Sequence, residues 1–257
     1  MKSCMNIHRG ALLGMFLALG AGACDDGAGA AAAELEERGV TLLAEVEQED
    51  FVLRFTKSAG GTIAVSEDGP MDQPSYLAHL SLEEHATPME IFLAIDPEGE
   101  VPEELRIDHE ATTKAPPRAL SLPQVSFRSV SQGETAATCS LTADGGWFDG
   151  EWSSRGWTYH TYHNTSAAQT DSAQKAASNF ITHVCNNSVA PNVDYSFAHY
   201  LYDRSLPNNL QFLTGDTDVK QGRRNVITVS SQSGTYQAQA VVSAWAAGNY
   251  KFGVMAP

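Results

Sequence analysis

Cationic side chains are scarce in this chain. Its 257 residues carry 16 Lys and Arg against 31 Asp and Glu, a formal net charge of −15. Phosphate backbones and anionic lipid surfaces are bound by clustered Lys and Arg, so the composition argues against nucleic acid as a partner. Past residue 20 no apolar run is long enough to cross a bilayer. No repeat stands out at a solenoid or propeller period. The GxSxG elbow, the phosphate-binding glycine loop and the dinucleotide fingerprint are all missing. There is no HExxH, and His109-Glu110 lacks a second histidine at helical spacing. Catalytic residues are therefore left unassigned.

What is present begins at the N-terminus. Lys2 and Arg9 precede a short apolar run over residues 11–20, and Ala21-Gly22-Ala23-Cys24 follows. This is the layout of a secretory signal peptide over residues 1–23, too short to persist as a membrane span. Small residues followed by cysteine resemble the lipobox of bacterial lipoproteins. That resemblance implies a lipidated (palmitate-bearing) Cys24 as first mature residue, anchored in a bacterial membrane. The same Ala-x-Ala also suits ordinary signal peptidase and free secretion. Either route makes the mature protein extracytoplasmic. The four cysteines are Cys4, Cys24, Cys139 and Cys185. Cys4 leaves with the signal and lipid occupies Cys24, so Cys139 and Cys185 remain as a pair for an oxidising compartment. Their bridge would stabilise the fold by roughly 4 kcal/mol in the chain-entropy model.

Removal of the signal leaves 234 residues, enough for one large or two modest domains. Residues 25–138 hold 23 acids and 7 bases, and residues 139–257 hold 8 and 7. That asymmetry suggests two units. Residues 24–40 read as a flexible tether, and 41–110 as an acidic α+β domain. Residues 111–138 form a linker rich in Pro, Ser and Thr, and 139–257 a disulfide-tied α+β domain. In the first unit, 41–47, 51–55 and 62–66 read as strands. Thr87-Pro88-Met89-Glu90 announces a helix through a capping threonine, proline at the first position and a capping-box glutamate. A second helix is predicted from Pro102 to about Glu110. In the second unit, 157–163 reads as a strand. Alanines and apolar residues from Ala167 to Val184 mark a helix face. Strands follow at 195–202, 210–213, 225–231, 235–246 and 250–255. The expected fold class is α+β in two small units, the second an antiparallel β-rich domain with one main helix and a disulfide.

Three groups carry candidate chemistry. His160 and His163, with His183 and His199, supply imidazoles of the kind that hold zinc. On a regular strand, however, His160 and His163 point to opposite faces, and only a bulge or turn would let them share a metal. Aromatic residues with polar neighbours are dense: Trp147, Trp152, Trp157, Tyr159, Tyr162, Tyr195, Tyr200 and Tyr202. Exposed rings of this kind bind sugar faces or partner proteins. Trp147, Trp152 and Trp157 are the selected ligand-binding residues, because the Gly/Asp-rich stretch holding the first two reads as a loop. Asp144, Asp149 and Glu151, and separately Asp216 and Asp218, offer oxygen ligands for calcium, but neither stretch has EF-hand spacing.

Two functions follow. One is a surface-tethered or secreted binding protein with an aromatic-rich recognition surface for a glycan or protein. The other is an extracytoplasmic hydrolase, zinc-dependent through the four histidines, with residues 25–138 as accessory or pro-segment.

Overall fold

The computed structural model describes residues 27–71, 73, 75–82, 84–120, 122, 157–165, 169–186, 197–205, 210–230, 232–242 and 248–256, without the side chains of 27–31, 82, 157–165, 169, 248–251 and 255. The signal peptide, Cys24, Cys139, Trp147 and Trp152 lie outside the described residues, as do Asp144, Asp149, Glu151 and most of the expected linker.

The chain runs α1 (Gly27–Glu37), β1 (Val40–Glu47), β2 (Val52–Ser58), β3 (Ile63–Pro70), α2 (Tyr76–Leu82), α3 (Pro88–Ile95) and α4 (Glu103–Thr113). Further along come β4 (Trp157–Thr165), β5 (Gln169–Ala177), β6 (Phe180–Asn186), β7 (Phe197–Asp203), β8 (Gln211–Val219), β9 (Arg223–Val229), β10 (Gly234–Val242) and β11 (Gly248–Ala256). The protein is mixed helix and antiparallel sheet, mostly β. A seven-stranded sheet has the order β1-β2-β3-β9-β6-β11-β4, and a four-stranded sheet the order β5-β10-β7-β8. The stretches expected as two units share the larger sheet, because β3 pairs with β9 from Val65↔Thr228 to Pro70↔Arg223.

Two apolar cores explain the layering. Between the sheets, Phe180, Val184, Ile227, Phe252 and Val254 of the larger meet Phe197, Leu201, Leu213, Tyr236 and Val242 of the smaller. On the other face of the larger sheet, Leu53, Phe55, Val65, Ile181 and Val226 pack against Leu77, Leu80, Ile91, Phe92 and Leu105 of α2–α4. The larger sheet is thus covered on both faces near its centre. This is why β6 (FITHVCN) is buried at every position rather than alternating in and out.

The predicted capping box forms at α3. Glu90 N–H donates to Thr87 Oγ1 at 3.3 Å, and Thr87 N–H donates to Glu90 Oε2 at 3.0 Å. Arg118 then clamps Glu90 with Nε on Oε1 at 2.8 Å and Nη2 on Oε2 at 3.0 Å. Burial alone would raise the Glu90 carboxyl, but the Arg118 hydrogen bonds and backbone N–H groups hold it down at about 2. Leu120 and Leu122 pack against the same layer, so the first part of the expected linker is fastened to the helices.

Two expectations need correction. Residues 24–40 are not a free tether over their described part: the alanine-rich stretch Gly27–Glu37 is helical and buries Leu35. Alanine is the best helix former, and Gly39 ends the helix with φ +75°. The stretch expected as the main helix up to Val184 is instead two strands in different sheets, β5 in the smaller and β6 in the larger. Its alanines fit a two-residue period as well as a helical one. Ala173 enters the core, while the positions on either side, Ser172 and Gln174, face solvent. The β-branched and aromatic run that follows then fills the centre of the larger sheet. Helix propensity is a weak prior against such burial.

Candidate functional site

The alternation of β7 builds the site. Phe197, His199 and Leu201 point into the sandwich, which turns Tyr200 and Tyr202 to the outer face of the smaller sheet. Phe212 of neighbouring β8 joins them. Its ring lies 6.1 Å from Tyr200 and 5.7 Å from Tyr202, centroid to centroid, both edge to face. Gly215 makes room for this packing. A Cβ there would stand 2.6 Å from both the His199 carbonyl oxygen and Tyr200 Cδ1.

The C-terminal end of α1 lies over these rings. The Arg38 guanidinium sits 4.8 Å from the Phe212 centroid and 5.2 Å from that of Tyr200. Its Nη2 donates to Glu34 Oε1 at 3.0 Å, and Thr217 Oγ1 donates to Glu34 Oε2 at 3.5 Å. Between α1 and β8 a cavity of about 400 Å³ opens, lined by the two rings, Arg38, Glu34, Arg54, Asp68, Asp216 and their neighbours. Burial pushes the Asp216 carboxyl up, the Asp218 N–H pulls it down and the Asp68 charge raises it further. Burial likewise raises Asp68, against the pull of Arg223 at 2.9 Å. Arg54 is held by Glu45 at 2.6 Å. The cleft therefore combines aromatic faces with partly desolvated carboxylates, the composition of a small-ligand binding site.

No protein-family model matches the chain, and no curated protein is similar to it. Function must therefore be read from the site.

The sequence-selected residues fall elsewhere. Trp157 opens β4 opposite Ala256, and its side chain is outside those described. His160 and His163 pair with Gly253 and Tyr250, in a register that runs without a shift from Trp157 to Thr165. Gly253 also pairs with His183, so His160, Gly253 and His183 stand in one row across β4, β11 and β6. His199 is not in that row. It is fully buried between the sheets, with Nδ1 2.7 Å from Asn225 Oδ1 and Nε2 3.0 Å from Thr182 Oγ1. Asn225 Oδ1 only accepts, so Nδ1 carries the proton. Burial holds His199 down at about 4 despite the Asn225 bond, so the ring is neutral near pH 7. Among the described residues no group of three or more His, Cys, Asp or Glu is placed to hold a metal. Cys185 is buried on β6, and the position of Cys139 is outside the described residues. No helix among the described residues is long and apolar enough to cross a membrane.

Tyr200 and Tyr202 stand among the aromatic candidates of the sequence, and the alternation in Phe197-Ala198-His199-Tyr200-Leu201-Tyr202 puts them on one face. Arg38, Phe212 and Asp68 carried no local signal. They converge only through the packing of α1 and β3 beside β8.

Proposed function

We propose that this is an extracytoplasmic binding protein, held by lipid at Cys24 or secreted, whose recognition site is the cleft between α1 and β7–β8. The observation that carries the reading is the pair of rings, Tyr200 and Phe212, that lines the cleft beside Asp216. Rigid rings offer large contact area at low entropic cost, and the adjoining carboxylates fix orientation. The ligand is a glycan or a protein, not nucleic acid, in keeping with the net charge of −15. Trp147, Trp152 and Trp157 belong to the same reading as an added aromatic surface. α1 begins three residues after Cys24, and 11 helical residues rise only about 16 Å. A lipid on Cys24 would thus keep the cleft close to the bilayer.

Tyr200→Ala and Phe212→Ala should each weaken binding to whole cells or arrayed glycans about tenfold, the equivalent of ~1.4 kcal/mol. Unchanged binding in both variants would remove the cleft from consideration.

The maturation proposed for the chain is acylated Cys24 and a Cys139–Cys185 bridge. It is supported by the leader's layout and by the burial of Cys185. Peptide mapping by mass spectrometry without reduction should find a diacyl or triacyl Cys24 peptide and a linked pair of peptides holding Cys139 and Cys185. A mature chain starting elsewhere, or free thiols at both positions, would refute the respective assignment.

A further inference from the structure

The ligand class can be taken further, on the reading that the α1/β8 cleft is the recognition site. We propose that the cleft is a guanidinium-binding site whose resting occupant is the chain's own Arg38, and that an arginine-bearing basic peptide binds by displacing it. The rings of Phe212 and Tyr200 present their faces to the Arg38 guanidinium at 4.8 and 5.2 Å, within the roughly 6 Å range of cation–π attraction. A planar guanidinium also forks onto a carboxylate, and Glu34 already accepts from Arg38 at 3.0 Å. The geometry is that of a site built for this group and already filled.

Arg38 is poorly committed to its place. Its side chain is 35% exposed, and its carboxylate partner on the same helix is 44% exposed. An ion pair of that kind contributes little, and a long side chain at a helix end swings away at small cost. The surroundings suit a replacement cation. Glu34, Asp68, Asp216 and Asp218 line the cavity against Arg38, Arg54 and Lys220, and Arg223 holds Asp68 at 2.9 Å, so withdrawal of Arg38 releases Glu34 and leaves carboxylates in excess around the vacated place. Arg54 is already neutralised by Glu45 and Lys220 lies 4.0 Å from Asp218. A cavity of about 400 Å³ is large enough for an arginine side chain and its flanking backbone. The acidic surface of the protein as a whole would steer a basic ligand toward it.

An internal occupant lowers apparent affinity by the fraction of molecules whose site is open. The test is calorimetric titration of the mature protein with a tetra-arginine peptide and, separately, with arginine amide, in the parent, Arg38→Ala and Arg38→Ala/Tyr200→Ala proteins. Melting curves check that each variant is folded. Arg38→Ala should bind tetra-arginine about three- to sixfold more tightly than the parent, and adding Tyr200→Ala should abolish that gain. Comparable per-site binding of arginine amide would identify a free small cation as the ligand source; binding of the peptide alone would identify a basic protein segment. If Arg38→Ala binds no more tightly than the parent, or if its binding survives Tyr200→Ala, the inference fails and attraction is only diffuse charge. Loss of cell or glycan binding on Tyr200→Ala alone would leave the recognition site standing even then, so the two failures are told apart.

Discussion

Glu67→Ala should cost about 3–5 kcal/mol of stability, the range for breaking a buried ion pair by removing one partner. Glu67 on β3 and Arg224 on β9 are 0% and 1% exposed and meet at 2.6 Å. Each has further duties. Glu67 Oε2 accepts from Leu77 N–H at 2.6 Å in the first turn of α2. Arg224 Nη1 donates to the carbonyls of Pro70, at 2.6 Å, and Gln73. The pair thus joins the β3–β9 seam to the segment that leads into the helical layer. Alanine at 67 would deprive a buried guanidinium of the carboxylate it meets at 2.6 Å and α2 of the acceptor for its Leu77 N–H. Whole-domain stabilities are about 5–15 kcal/mol, so the loss would be a large share. Urea denaturation of parent and variant reads it directly. The double variant Glu67→Met/Arg224→Met should lose less than Glu67→Ala, because it strands no charge. A single-variant loss below about 1 kcal/mol would show that the pair is not what fastens the seam.

Acid should destabilise the protein through His199. Its folded value is about 4, below the 6.5 of an exposed histidine, because burial between the sheets penalises the charged ring. As pH falls, the unfolded chain therefore takes the proton first. The contribution is fully present above pH 6.5 and is lost between about 6.5 and 4, amounting to about 3 kcal/mol over that window. Asp68, Asp108 and Asp216 work in the opposite sense at the acid end, since burial raises each of them. The quantity to read is thus the difference between the parent and His199→Gln, by urea midpoints at pH 7, 5.5 and 4. The parent should lose about 3 kcal/mol more than the variant from pH 7 to pH 4. Parallel pH dependence in the two proteins would mean that burial does not hold His199 neutral.

The sequence alone determined the parts held by local chemistry. Thr87, Pro88 and Glu90 fixed the start of α3, because a cap, a proline and a returning carboxylate satisfy backbone donors within one turn. Most strands of 41–66 and of the C-terminal part were legible because their apolar residues alternate or run together, but the sequence pattern stops at Ser66 and Leu213 where β3 runs on to Pro70 and β8 to Val219. Tertiary structure decided the rest. Residues 169–186 carry a pattern that fits a helix or two short strands, and only the demand for one strand in each sheet selects between them. α1 packs on β1, the strand that follows it, and its end is placed by Arg38, which reaches rings more than 150 residues later, on β7 and β8. His199, read as a metal ligand, became a neutral core group once Thr182 and Asn225 closed on its two nitrogens. The site itself belongs to that second class. Arg38, Asp68, Tyr200 and Asp216 share no spacing in the chain, and what brings them to one cleft is the burial of apolar surface on both sides of a common sheet.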